Sequence, residues 1–246
     1  RARSHRLIPR GPAWRRYRAH VSDNPVLSFI TGVPRPAWRG RIHTWAFWLS
    51  LPAVVALVAA VDRLGPRIGV AIYGASLASV YGVSAAYHRL ARTERAQRLM
   101  RRADHSMIFV LIAGTYTPIC LSALPRSWAV PLLSAVWGLA VVGIVSKVAG
   151  SDLVMRAANS LYLVIGWLAI LAMPVLIHAL SPLALAMLAL GGALYTVGAI
   201  LFYLRRPDPR PLVFGYHEIW HAFTVAAGVA HFVAVVLVTG AARGPG

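Results

Sequence analysis

Seven runs of about twenty apolar residues dominate the chain, each the length an α-helix needs to cross the hydrocarbon core of a bilayer. They cover 43–61, 68–90, 103–124, 128–148, 153–176, 183–204 and 214–238. Backbone N–H and C=O groups in lipid must be satisfied within the segment, so these runs predict an all-α integral membrane protein, a seven-transmembrane helical bundle. Pro182, the arginine-rich stretch 89–102 and the linker 205–211 separate the runs cleanly. The chain is 58% hydrophobic and 13% charged, where soluble domains are about 45–50% apolar and about 25% charged. Its 246 residues suit one bundle rather than two domains.

The net charge of +18 comes from 25 Lys+Arg against 7 Asp+Glu. Such an excess in a soluble chain would suggest nucleic acid. Here the cations fall between apolar runs, so membrane topology accounts for them and no nucleic-acid partner is expected. Ten arginines lie within 1–42. Arg89, Arg92, Arg95, Arg98, Arg101, Arg102, Lys147, Arg156, Arg205, Arg206 and Arg210 fall on the same side. Only Arg63, Arg67, Arg126 and Arg243 fall on the other. The bias predicts a multi-pass protein of the cell membrane with the N-terminus cytoplasmic and the C-terminus outside.

Three parts follow: a basic segment 1–42, a membrane domain 43–240, and a short extracytoplasmic tail 241–246. The first part interleaves Leu7, Trp14, Tyr17 and Phe29 with its arginines. It reads either as an interfacial segment on anionic lipid or as a disordered basic tail. No short apolar core follows the early arginines, so no cleavable signal peptide is expected. Cys120 lies alone in an apolar run and reads as a small packing residue. Gly138, Gly143, Gly191, Gly192 and Gly198 are read as points of close helix approach. The stretch 114–118, GTYTP, is expected to bend the third run, its threonines satisfying freed backbone groups.

Depth along the spans can now be compared. The second span ends on the cytoplasmic side with Ser84 and His88, one turn apart on one face. The third begins there with Asp104 and His105, and the seventh begins there with His217 and His221, again one turn apart. Polar groups at membrane depth are costly and mark function. Neutral imidazoles suit Zn²⁺, and three protein ligands leave a fourth position for water. Zinc lowers the pKa of that water to about 7. His88, His217 and His221 are therefore candidate metal ligands and Asp104 a candidate catalytic base. Ser84 is a candidate to hold the water or an oxyanion. The alternative is that these groups are polar bridges between helices.

Other residues rank lower. His231 lies fourteen residues past His217, about 21 Å along the axis, and is expected in an interhelical hydrogen bond or a polar path. His105 projects about 100° away from Asp104 and can only support the site from behind. His43 either approaches the site or meets headgroups, and His178 is expected at the far face in water. Residues 217–221, HEIWH, match the H-E-x-x-H pattern in which the glutamate serves zinc proteases as base. The match is weak alone, and Glu218 is equally explained at headgroup level.

The segments SAAYH (84–88), RADHSMIFVLIAGTYTP (102–118), GGALYTVGAILFY (191–203) and YHEIWHAFTVAAGVAHF (216–232) resemble the hemolysin III family. This is the bacterial branch of the progestin and adiponectin receptor superfamily. The resemblance covers about 40–240 and leaves out the basic N-terminal segment. It implies seven spans, a cytoplasmic N-terminus and a zinc site near the cytoplasmic face. His88, His217 and His221 would be the ligands, Asp104 would bind through the metal-bound water, and Ser84 would neighbour it. The family pattern requires no acid at Glu218. The wider superfamily is similar to alkaline ceramidases, zinc amidases acting on lipids, and bacterial members are linked to hemolysis and membrane-fluidity homeostasis.

The reading that follows is a zinc-dependent hydrolase of a lipid amide or ester that reaches the site from the bilayer. The alternatives are a non-enzymatic membrane sensor or regulator with structural zinc, and a cytolytic pore-forming protein. A pore should line several helices with polar residues, and the fourth and sixth spans offer few.

Overall fold

The computed structural model describes residues 36–240; the reading of the basic segment falls largely outside them, and that of the tail 241–246 wholly so. The helices are α1 (Arg41–Ala59), α2 (Leu64–Leu90), α3 (Glu94–Ala123), α4 (Arg126–Ala149), α5 (Asp152–Ala157), α6 (Asn159–Trp167), α7 (Met173–Ala179), α8 (Pro182–Leu204) and α9 (Tyr216–Thr239). Seven membrane-crossing segments result among the described residues, the fifth composed of α5, α6, a 3₁₀ turn at Leu168–Ala172 and α7. The all-α seven-span expectation holds.

Boundaries differ where a helix outruns the lipid. α3 begins nine residues before the apolar run, because hydropathy marks only the immersed part. In the arginine-rich linker it is sustained by soluble-helix devices. Thr93 caps it by accepting from the Ala96 amide at 3.2 Å, and Glu94 pairs with Arg98 one turn on at 3.4 Å.

α3 continues through Pro118 as one helix. Thr115 and Thr117 donate to the Leu111 and Ala113 carbonyls at 2.8 Å. A break lies in the fifth span, where sequence showed only Pro174. Pro174 sits in the first turn of α7, where a missing N–H costs nothing. Tyr116 of α3 serves the interrupted backbone: its hydroxyl reaches the Ile165 and Gly166 carbonyls at 2.9 and 3.0 Å and accepts from the Ala169 amide at 2.7 Å. Unpaired backbone groups in lipid cost several kcal/mol, and this side chain removes that cost.

Two cores result. One, around Phe109, Cys120, Val136 and Ile165, joins α3 and α4 to the fifth span and α8. The other, around Tyr73, Leu77, Tyr81, Leu111 and Val235, joins α1, α2, α3 and α9. Three of the five glycines read as close approaches are so: an added Cβ would come within 2.3 Å of Phe109 at Gly143, 2.1 Å of His231 at Gly191 and 2.7 Å of Phe223 at Gly198. Gly138 and Gly192 face open space.

Lys147 is one of the cations whose placement predicts the orientation of the bundle. It is in fact turned inward, 1% exposed. Its ammonium donates to the Met155 carbonyl and to Asn159 Oδ1, the latter at 2.6 Å, and lies 5.2 Å from the Tyr162 ring centroid. Tyr162 in turn donates to the His105 carbonyl at 2.8 Å. One cation thus staples α4 to the start of the fifth span and to α3.

Candidate metal centre

The site lies where the C-terminal end of α2, the early turns of α3 and the start of α9 meet. His88 comes from α2, and His217 and His221 from adjacent turns of α9. Their ring centroids stand 4.8 Å (His88–His217), 5.0 Å (His88–His221) and 4.8 Å (His217–His221) apart. Each offers one ligand atom, and all three atoms lie within 4.8 Å of one another. His88 and His221 are buried and His217 is partly so.

Backbone geometry permits this approach. Gly40, the residue before α1, has φ +76°, and a Cβ there would stand 2.9 Å from the His88 Cβ. The chain entering α1 therefore runs directly against α2 at the level of His88, and glycine meets both the positive φ and the lack of room.

Ser84 of α2 and Asp104 of α3 lie next to one another near the group. Ser84 is buried, one turn before His88, and its side chain hydrogen-bonds the Asp104 carboxylate. The five residues selected from sequence thus occupy one end of the bundle.

Three residues ranked low in the sequence resolve differently. His43 does approach the site: its ring stacks on His221 with centroids 4.0 Å apart and planes 11° apart, and its Nε2 meets the Thr224 hydroxyl at 2.9 Å. That hydroxyl donates to the His221 carbonyl at 2.8 Å, so Thr224 accepts from His43, which fixes the His43 tautomer. His231 is remote, its Nε2 3.3 Å from the Leu188 carbonyl of α8, an interhelical hydrogen bond as expected. His178 is exposed.

Glu218 is turned into the protein rather than toward the surroundings. It is 0% exposed, and its Oε1 accepts from Arg39 Nε at 2.5 Å across 179 residues of sequence. Its Oε2 accepts from the Gly215 amide at 2.9 Å, capping α9. Asp208 adds a second cap, accepting from the Tyr216 amide at 3.1 Å. Amides of Ala37 and Trp38 bond the Leu212 and Val213 carbonyls at 3.0 and 3.2 Å, lashing the turn before α1 to the loop before α9. A carboxylate committed to a guanidinium and a cap serves architecture, holding the two α9 histidines in register. Arg39 was only one of ten N-terminal arginines in the sequence; nothing local distinguished it.

The donors suit a metal ion. A buried Nδ1 of His221 has no hydrogen-bond partner, a costly state for a ring nitrogen unless it coordinates something. Three imidazoles at this separation match a three-ligand site.

These observations define a seven-span helical membrane protein with a three-histidine, metal-competent cluster at one end of its bundle. The Haemolysin-III related family model matches residues 31–232, reaching nine residues further into the basic segment than the resemblance drawn from motifs. The chain is 36% identical over 197 residues to the Hemolysin-3 homolog of Bacillus subtilis (strain 168), covering 79% of this chain and 89% of that protein. It is 34% identical over 193 residues to Hemolysin-3 of Bacillus cereus, covering 76% and 84%. The chain belongs to the Haemolysin-III related family.

Proposed function

We propose that this chain is a zinc-dependent membrane hydrolase of a lipid amide or ester, acting in membrane lipid homeostasis, with its basic N-terminal segment on the cytoplasmic side. The carrying observation is the convergence of His88, His217 and His221 beside the hydrogen-bonded Ser84–Asp104 pair. Zn²⁺ held by the three imidazoles would supply Lewis-acid polarisation of the scissile carbonyl and a water acidified into the neutral range.

The chain's own residues do the rest. Asp104 accepts the proton of the attacking water at its carboxylate and delivers it to the leaving nitrogen or oxygen as the carbonyl bond to it breaks. Ser84 donates to that carboxylate and holds it in one orientation. The Arg39–Glu218 pair keeps α9 in register, so both α9 imidazoles face the same point. The substrate carbonyl reaches this point from the surrounding bilayer.

One geometric fact favours an open, catalytic site over the closed four-ligand site that a purely structural metal would prefer. His43 is a fourth imidazole within reach, but it lies nearly parallel to His221. In-plane lone pairs of stacked rings run side by side and do not converge on one ion; Nε2 of His43 bonds Thr224, while its buried Nδ1, like that of His221, has no hydrogen-bond partner. The lytic activity implied by the name of the Bacillus cereus relative would require a conducting path; purified protein in planar bilayers is expected to be silent.

The test is hydrolysis of a ceramide-like amide by purified protein, with bound metal measured in parallel. Asp104→Ala is expected to keep its zinc and lose hydrolysis by about 10²–10⁴-fold, the usual contribution of a positioned base. Full hydrolysis by that variant would overturn the mechanism.

A further inference from the structure

We propose that the groove between the first turns of α1 and the C-terminal end of α2 binds the headgroup of an anionic phospholipid. The groove is a cavity of about 460 Å³ lined by Arg41, Thr44, Trp45, Trp48 and Arg89. Positions 41, 44, 45 and 48 fall on one face of α1 at helical spacing. The opposite face turns His43, Ala46, Ser50 and Leu57 into the protein. The groove therefore opens outward, where a membrane helix meets lipid.

The lining selects charge. Two guanidinia from different helices converge on it, and neither pairs with a carboxylate among the described residues. No acidic residue lines the cavity. A phosphate meets two planar donor forks here, the geometry in which arginine binds it best. The cationic amine of a zwitterionic headgroup has nothing to meet.

The lining also selects lipid over a free anion. Trp45 and Trp48 are 66% and 61% exposed on the same face. Indoles favour the membrane–water boundary, where ring and N–H meet acyl chain and headgroup together. A soluble phosphate would gain nothing from two apolar walls, whereas a phospholipid lays its glycerol and upper acyl chains along them.

The groove shares a seam with the metal centre without sharing its residues. Arg89 follows His88 directly, and Gly40, which precedes Arg41, packs against both. A headgroup here would clamp α1 to α2 from outside at the level where His88 and His43 face inward. The proposal does not depend on hydrolysis.

Full-length protein in zwitterionic detergent would be titrated with phosphatidylglycerol or phosphatidylcholine and examined by native mass spectrometry, with and without excess inorganic phosphate. One phosphatidylglycerol should bind in preference to phosphatidylcholine and resist displacement by phosphate. The double variant R41Q/R89Q should bind it about 30-fold more weakly, at about fivefold per arginine near a lipid surface. R126Q, an exposed arginine elsewhere, should bind as wild type does. Because both groove arginines are exposed, thermal unfolding in the zwitterionic detergent should match across all variants; W45A/W48A, with the arginines intact, should also weaken phosphatidylglycerol binding. Equal retention of the two lipids, unchanged binding by R41Q/R89Q, or ready displacement by inorganic phosphate would each overturn the assignment.

Discussion

Replacing Glu218 separates an architectural carboxylate from a catalytic one. In the structure its two oxygens are spoken for: Oε1 by the buried Arg39 guanidinium at 2.5 Å and Oε2 by the Gly215 amide at 2.9 Å. Arg39 is 6% exposed and Glu218 0%. Glu218→Met leaves a guanidinium without its counter-charge in a site that water does not reach, a loss of about 3–5 kcal/mol. It also removes a cap of α9, worth about 1 kcal/mol. Arg39→Met strands the carboxylate at similar cost. The double variant R39M/E218M removes both charges and refills the volume, so it should lose far less than either single change, because replacing a whole buried pair with apolar side chains is often neutral.

Equilibrium unfolding in detergent micelles measures all four corners of this cycle, and bound metal measured on each variant reports the register of α9. Were Glu218 a general base of the H-E-x-x-H kind, its replacement would abolish hydrolysis while leaving stability untouched, and Arg39→Met would be silent. Wild-type stability for Glu218→Met, or simple additivity in the double variant, would refute the buried-pair account.

Alanine at His88, His217 or His221 should each cut bound zinc sharply, whereas His231→Ala should leave it unchanged and cost only the bond to Leu188; metal analysis of purified protein decides. Lys147→Met orphans the Met155 carbonyl and Asn159 Oδ1, for an expected loss of about 1–3 kcal/mol in the same unfolding assay. Gly143→Ala drives a methyl to within 2.3 Å of Phe109 and should cost about 1–3 kcal/mol, while Gly138→Ala, with nothing within 4 Å, should be tolerated.

The number of spans, their order and the residues of the metal cluster were legible without coordinates because each rests on a local property. Hydropathy over twenty residues is a sum along the chain, and charge asymmetry between linkers assigns each residue a depth. Linker charge put His88, Asp104, His217 and His221 at one expected level, and the fold brings the three histidines to one place. Pairing is a different kind of fact. Glu218 and Arg39 are 179 residues apart, and neither one's surroundings in sequence announce the other. Lys147 looks like any linker cation until its ammonium is seen turned toward Asn159, and the fifth span looks continuous until Tyr116 is seen bonding its broken backbone. Hydropathy therefore told how many helices cross, and linker charge told which residues to compare at one end of the bundle. Only the packed bundle decided which buried charge is neutralised by which partner, because desolvation cost depends on neighbours in space rather than along the chain.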